Sequence, residues 1–157
     1  MGYTHYWYIA DEISQDSWDK FLGDFRTILP NFESTLDIQG NQKLQHDKDV
    51  IYLNGIGELS HETFLLERVT NTTEFTQRDD DNGLIFNFCK TAQKPYDIAV
   101  CSALIIAKKH FGKSIMISSD GDNEEWKESK ALCQKILGYG DNLNMDYVIP
   151  TGEFNWE

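Results

Sequence analysis

The chain has 157 residues, 40% of them hydrophobic, and a formal net charge of −12 from 14 lysines and arginines against 26 aspartates and glutamates. That length suits one domain with a sizeable core, and so negative a surface disfavours duplex nucleic acid and anionic lipid as partners. No signal peptide, no bilayer-length apolar run and no basic patch denser than Lys108-Lys109 is visible, so the expectation is a soluble cytoplasmic protein with neither membrane nor duplex among its partners.

Residues 3–9 are aromatic and β-branched and read as a strand. Ser14 is placed to cap a helix, in which Trp18, Phe21, Leu22, Phe25, Ile28 and Leu29 recur at spacings of three and four until Pro30 stops it. Burying that stripe is worth on the order of 10 kcal/mol before chain entropy is subtracted. Residues 30–49 are polar, with a turn at Gly40-Asn41. A short strand is expected over 50–53. Another is expected over 62–70, with Phe64, Leu66 and Arg68 on one face and Thr63, Leu65, Glu67 and Val69 on the other.

The run Asp79-Asp80-Asp81-Asn82-Gly83 reads as a hairpin turn, because Asn-Gly tolerates positive φ. Residues 84–89 return as a strand with Leu84, Phe86 and Phe88 on one face. A helix over 96–111 follows Pro95; its apolar stripe is so wide that it must be mostly buried, and Gly112 ends it. Residues 114–118 read as a strand, 122–137 as a helix closed by Gly138, and 139–157 as an irregular tail. The order β-α-β-β-β-α-β-α, without internal repeats, predicts a single α+β domain over 1–157. Its architecture is a two-layer sandwich of a mainly antiparallel sheet with about three helices.

Motifs for specific chemistry are missing. There is no Walker loop, dinucleotide fingerprint, H-E-x-x-H, C-x-x-C or G-x-S-x-G, and the four histidines have no metal-ligand spacing, so neither cofactor nor metal is expected. Cys89, Cys101 and Cys133 lie in apolar stretches and read as buried thiols of a reducing compartment. The run from Asp120 to Glu125 looks like half a calcium loop, but it lacks the glycine at loop position six and the closing glutamate. Its carboxylates suit a helix N-terminus.

The segment Lys90-Thr91-Ala92-Gln93-Lys94-Pro95-Tyr96-Asp97 joins a strand to the start of the buried helix. Free amides and the helix dipole favour an anion there, and two lysines with the Thr91 and Tyr96 hydroxyls would add to it. The plainer reading has Asp97 capping the helix and the lysines solvated. His5, Tyr6, Glu62, Arg68 and Asp120 are candidates to complete such a pocket, if the fold brings the strand ends together. The aromatic first strand reads mainly as core; as an exposed wall it would stack on a base or sugar.

Several segments resemble an uncharacterised family of small proteins from bacteria and their phages. They are Gly2-Tyr3-Thr4-His5-Tyr6-Trp7, Glu62-Thr63-Phe64, the run from Gly83 to Thr91, the run from Pro95 to Val100, Ser118-Ser119-Asp120-Gly121 and Leu137-Gly138-Tyr139-Gly140. That resemblance implies a bacterial or phage setting and no particular activity. The leading expectation is thus a non-enzymatic binder of a small anionic, nucleotide-like ligand at Lys90, Thr91, Lys94, Tyr96, Asp97, His5, Tyr6, Glu62, Arg68 and Asp120. The alternatives are an acidic protein-interaction module, such as an inhibitor of a host enzyme, and a hydrolase using His61, Glu62 or Asp120. A homo-oligomer or a host protein partner fits the same composition.

Overall fold

The computed structural model describes residues 2–37 and 49–146, so the expected turn at Gly40-Asn41 and the end of the tail lie outside the described residues. The elements are β1 (Thr4–Ile9), α1 (Gln15–Ile28), β2 (Val50–Leu53), β3 (Phe64–Glu67), β4 (Ile85–Lys90), α2 (Asp97–Phe111), β5 (Ile115–Ser119) and α3 (Lys127–Leu137). This is the expected α+β order. The strands form two antiparallel sheets, one of order β4-β1-β5 and one of β2 with β3.

β1 is central, and its alternation divides the domain. His5, Trp7 and Ile9 are buried, while Tyr6 and Tyr8 are half-buried on the opposite face. On the inner face they join Ile85, Cys89, Ile115 and Ile117, against a core supplied largely by α2. Almost every residue of α2 from Ala99 to Lys108 is buried, as its wide apolar stripe requires. α1 adds Trp18, Phe21 and Phe25, whose rings pack on one another and on Phe111.

The helix ends follow from local chemistry. Ser14 Oγ accepts from Ser17 N at 3.2 Å, and Pro30 turns the chain after α1 into a 3-10 turn over Leu29–Phe32. Gly112 adopts φ +56° at the end of α2. There the buried Lys108 ammonium donates to Gly112 O and Ile115 O, both at 2.9 Å, matching its charge to the carbonyl end of the helix. α3 starts later than its acidic run suggests. Asp122 N donates to Glu125 Oε1 at 3.2 Å and Glu125 N to Asp122 Oδ1 at 3.1 Å, a reciprocal pair that closes the turn ahead of α3, whose N-cap residue Trp126 gives no side-chain bond.

The Asp79–Gly83 turn forms, with Gly83 at φ +74° and Asp79 N bonded to Leu84 O at 2.8 Å. Its return arm meets Arg78 and Gln77, and the strand expected over 62–70 lies elsewhere. That strand is β3, and it is shorter and paired with β2, so that Phe64 and Leu66 enter the core beside Ile51 and Leu53. Among the described residues, no helix is long and apolar enough to cross a membrane.

Candidate functional site

Nine of the ten candidate residues gather at the end of the three-stranded sheet where β1 begins and β4 and β5 end. Thr4 pairs with Lys90, and His5 lies between Cys89 and Ser119. Asp120 N extends β5 by donating to Thr4 O at 2.9 Å. Glu62 is drawn in from the preceding segment: its carboxylate accepts Lys90 N at 2.8 Å, and its carbonyl accepts the Tyr96 hydroxyl. Lys94 Nζ donates to Glu58 O at 3.1 Å on the same side. The tenth residue is misplaced. Arg68 sits beyond the other end of β1, bonded to Asp49 Oδ1 at 3.0 Å and Ile13 O at 3.2 Å. It shares a strand with Phe64, but β3 leaves the sheet that carries His5, so nearness to Glu62 in sequence does not become nearness in space.

The inner face of this end holds a hydrogen-bonded network around His5, which is fully buried. Ser119 Oγ decides which ring nitrogen accepts. It accepts from Gly121 N at 2.9 Å and from Trp126 Nε1 at 3.1 Å, which fills both lone pairs. Its single hydrogen therefore goes to His5 Nδ1, 2.8 Å away. The ring proton is then on Nε2 and is donated to Asp97 Oδ1 at 2.6 Å. Asp97 also accepts the Thr91 hydroxyl and, on Oδ2, the Cys101 thiol at 3.7 Å. The carboxylate expected to cap α2 thus turns inward, and Tyr96 at the cap position gives no side-chain bond.

This count decides what the cluster can do. His5, Asp97 and Cys101 bring one metal-ligand atom each within 4.8 Å of one another, and a metal there would have to displace the Nε2 proton and break its bond to Asp97. Ser119, His5 and Asp97 also resemble a nucleophile, base and acid in a row. The Ser119 oxygen, however, already accepts two N–H groups, which lowers its nucleophilicity. Cys101 is 1% exposed, and burial followed by the nearby Asp97 charge pushes its thiol pKa well up. The network positions and stiffens: the Cys101 thiol is buried, and the half-buried Ser119 and Asp97 side chains are committed to partners within the fold.

The loop amides differ from the expected open anion cradle. Ala92 and Gln93 both have φ +54°, and Lys94 N donates to Thr91 O at 3.0 Å, which defines a type I′ turn. Gln93 N reaches Thr91 Oγ1 at 3.4 Å, Thr91 N donates to Tyr3 O at 3.1 Å, and Asp97 N to Lys94 O at 2.8 Å. These donors are used within the fold, so the turn offers them to no guest.

The outer face of the same sheet is different. Phe86 and Phe88 from β4 lie beside Tyr8 and Tyr6. Phe86 stacks on Tyr6 at 6.2 Å between centroids and on Phe88 at 5.9 Å. Phe88 is 48% exposed, and Tyr6, Tyr8 and Phe86 are half-buried. Lys90 Nζ stands 5.9 Å from the Phe88 ring centroid. Opposite it, Asp120 Oδ1 accepts the Tyr6 hydroxyl at 3.1 Å, and Oδ2 accepts Thr4 N at 3.0 Å. Slight burial, and then that bond to Asp120, push the Tyr6 pKa up, so the phenol stays a donor. Sequence reasoning gave this aromatic face less weight than the loop, although the alternation of Phe86, Phe88 and Lys90 carries the signal. It missed Ser119, Trp126 and Cys101; only the spacing of Cys101 from Asp97, one helical turn, was available to find them. His61 is exposed.

No protein-family model, curated protein or solved structure matches this chain. The structure is an α+β domain with a hydrogen-bonded polar network on one side of its sheet and an aromatic surface on the other.

Proposed function

We propose that the protein is a non-enzymatic binder of a small anionic ligand carrying a flat ring, a nucleotide in class, held on the outer face of the β4-β1-β5 sheet. One observation carries this reading: the Lys90 ammonium stands over a half-exposed ring that continues into a stack of aromatic side chains. An aromatic surface stacks on bases of any sequence, each contact being worth about 1–3 kcal/mol. An ammonium at its edge complements a phosphate. Among the described residues, neither Lys90 nor Lys94 is in a salt bridge, whereas Lys20, Arg68, Arg78 and Lys127 are paired with carboxylates. The anion contact is thereby moved from the loop amides to the Lys90 side chain. The non-enzymatic part is supported by the network around His5, in which the Ser119 and Cys101 nucleophiles are both engaged.

The test is isothermal titration with adenosine monophosphate, adenosine and inorganic phosphate. The monophosphate is expected to bind best, with Phe88→Ala and Lys90→Ala each weakening it by about tenfold. Absence of binding by every nucleotide base and phosphate combination ends the reading.

A further inference from the structure

We infer that the Asp120–Tyr6 pair is the specificity element of this surface and selects ligands whose far edge carries hydrogen-bond donors, an amino-bearing base in preference to a carbonyl-bearing one. The inference rests on the nucleotide reading above and adds to it which base is taken and in which orientation.

Strand register places two opposite charges on this face. Lys90 and Asp120 flank Thr4, one on the β4 side and one on the β5 side. They are therefore two inter-strand spacings apart, about 10 Å. Both side chains lie on the outer face, because Lys90 Nζ stands over Phe88 and Asp120 Oδ1 meets the Tyr6 hydroxyl. The adjacent row across the sheet is Phe88, Tyr6 and Ser118. A flat ligand stacked on that row has a cation at one end and a carboxylate at the other. A mononucleotide matches that polarity, with its phosphate towards Lys90 and its base edge towards Asp120.

The hydrogen-bond count sets the preference. An ionised carboxylate has about four lone-pair sites and no donor. Asp120 uses one for Thr4 N and one for Tyr6 OH, which leaves two acceptor sites facing the surface. The Tyr6 hydroxyl has given its only hydrogen to Asp120, so its oxygen too can only accept. The Ser118 hydroxyl beside them can donate or accept, so the charged Asp120 oxygens, which can only accept, set the character of this end. A base edge with an amino group is satisfied there, while a carbonyl edge meets like-signed lone pairs and loses its water.

The experiment uses the full chain and three ligands: adenosine monophosphate, its N6,N6-dimethyl analogue and inosine monophosphate. The expected result is that adenosine monophosphate binds about tenfold more tightly than either competitor, one charge-assisted hydrogen bond in size. Asp120→Asn replaces one acceptor by an NH₂ donor, and is expected to abolish that preference or turn it towards inosine monophosphate. The analogue comparison needs no variant, so it stands even if Asp120→Asn fails to fold. Equal affinities in the unaltered protein, or a preference unchanged in a folded Asp120→Asn, overturn the inference while leaving the stacking surface intact. Failure of all three ligands to bind overturns the nucleotide reading itself.

Discussion

His5 Nε2 donates to Asp97 Oδ1 across 2.6 Å, fastening the central strand to the first residue of α2. The ring is fully buried between Tyr3 and Trp126, each edge-on to it at 5.2 Å. Replacing it by alanine leaves a cavity, a carboxylate short of its strongest donor and a Ser119 hydrogen without an acceptor. We expect His5→Ala to cost about 3–5 kcal/mol, read as a lower urea midpoint at unchanged slope. A cost below about 1 kcal/mol is incompatible with the network as described.

How much of this was legible in the sequence depends on the range of the interactions. Ser14, Pro30, Gly112 and Gly138 act within one turn of chain, and their helix boundaries were readable to within a residue or two. The alternation along β1 was readable too, since it needs only period two. Pairing was not: β3 pairs back with β2, the strand before it, while the arm after the Asp79–Gly83 turn meets Arg78 and Gln77. With that pairing went Arg68. Asp97 was misjudged for a related reason. A carboxylate at a helix start is a cap by local rules, and only the arrival of β1 across the sheet gives it His5 as a better partner.

The turn Thr91-Ala92-Gln93-Lys94 places two residues with Cβ atoms at φ +54°. Left-handed backbone costs an L-residue about 1–2 kcal/mol, and type I′ turns favour Asn-Gly for that reason. Converting Ala92-Gln93 to Asn-Gly is expected to raise stability by about 1–2 kcal/mol in chemical denaturation, even though the Gln93 to Glu125 contact at 3.1 Å is lost. A destabilised variant would mean that the Gln93 side chain matters more than its backbone strain.

The Tyr3 hydroxyl is buried without a hydrogen-bond partner among the described residues. A Cβ built on Gly121 would lie 1.9 Å from that oxygen and 2.9 Å from Tyr3 Cζ. Tyr3→Phe is therefore expected to be neutral or stabilising by up to about 1 kcal/mol, since it deletes an unsatisfied polar group and little volume. Gly121→Ala is expected to cost about 1–3 kcal/mol, and a good part of that is recovered in the double variant. Thermal melts of the four proteins measure the coupling; strict additivity of the two changes contradicts the contact.

Burial pushes the Cys89 and Cys133 thiols from 9.0 up to about 12, Cys89 with help from Glu62 and Asp97. A thiol raised in this way is neutral in the folded protein while its unfolded counterpart ionises. Its contribution is thus complete below pH 9 and is lost as pH rises towards 12. Each thiol removes about 1.4 kcal/mol per pH unit across that window. Tyr3, Tyr96 and Tyr139 are raised above 10.0, chiefly by burial, and add loss of the same sign higher in the range. The separable measurement is Cys133→Ala against the unaltered protein. The stability gap between them, set at pH 8 by lost packing, is expected to shift in favour of the variant by about 1.4 kcal/mol for every pH unit above 9, because the variant has no buried thiol to ionise at that position. A gap constant from pH 8 to 11 would place that thiol in contact with water.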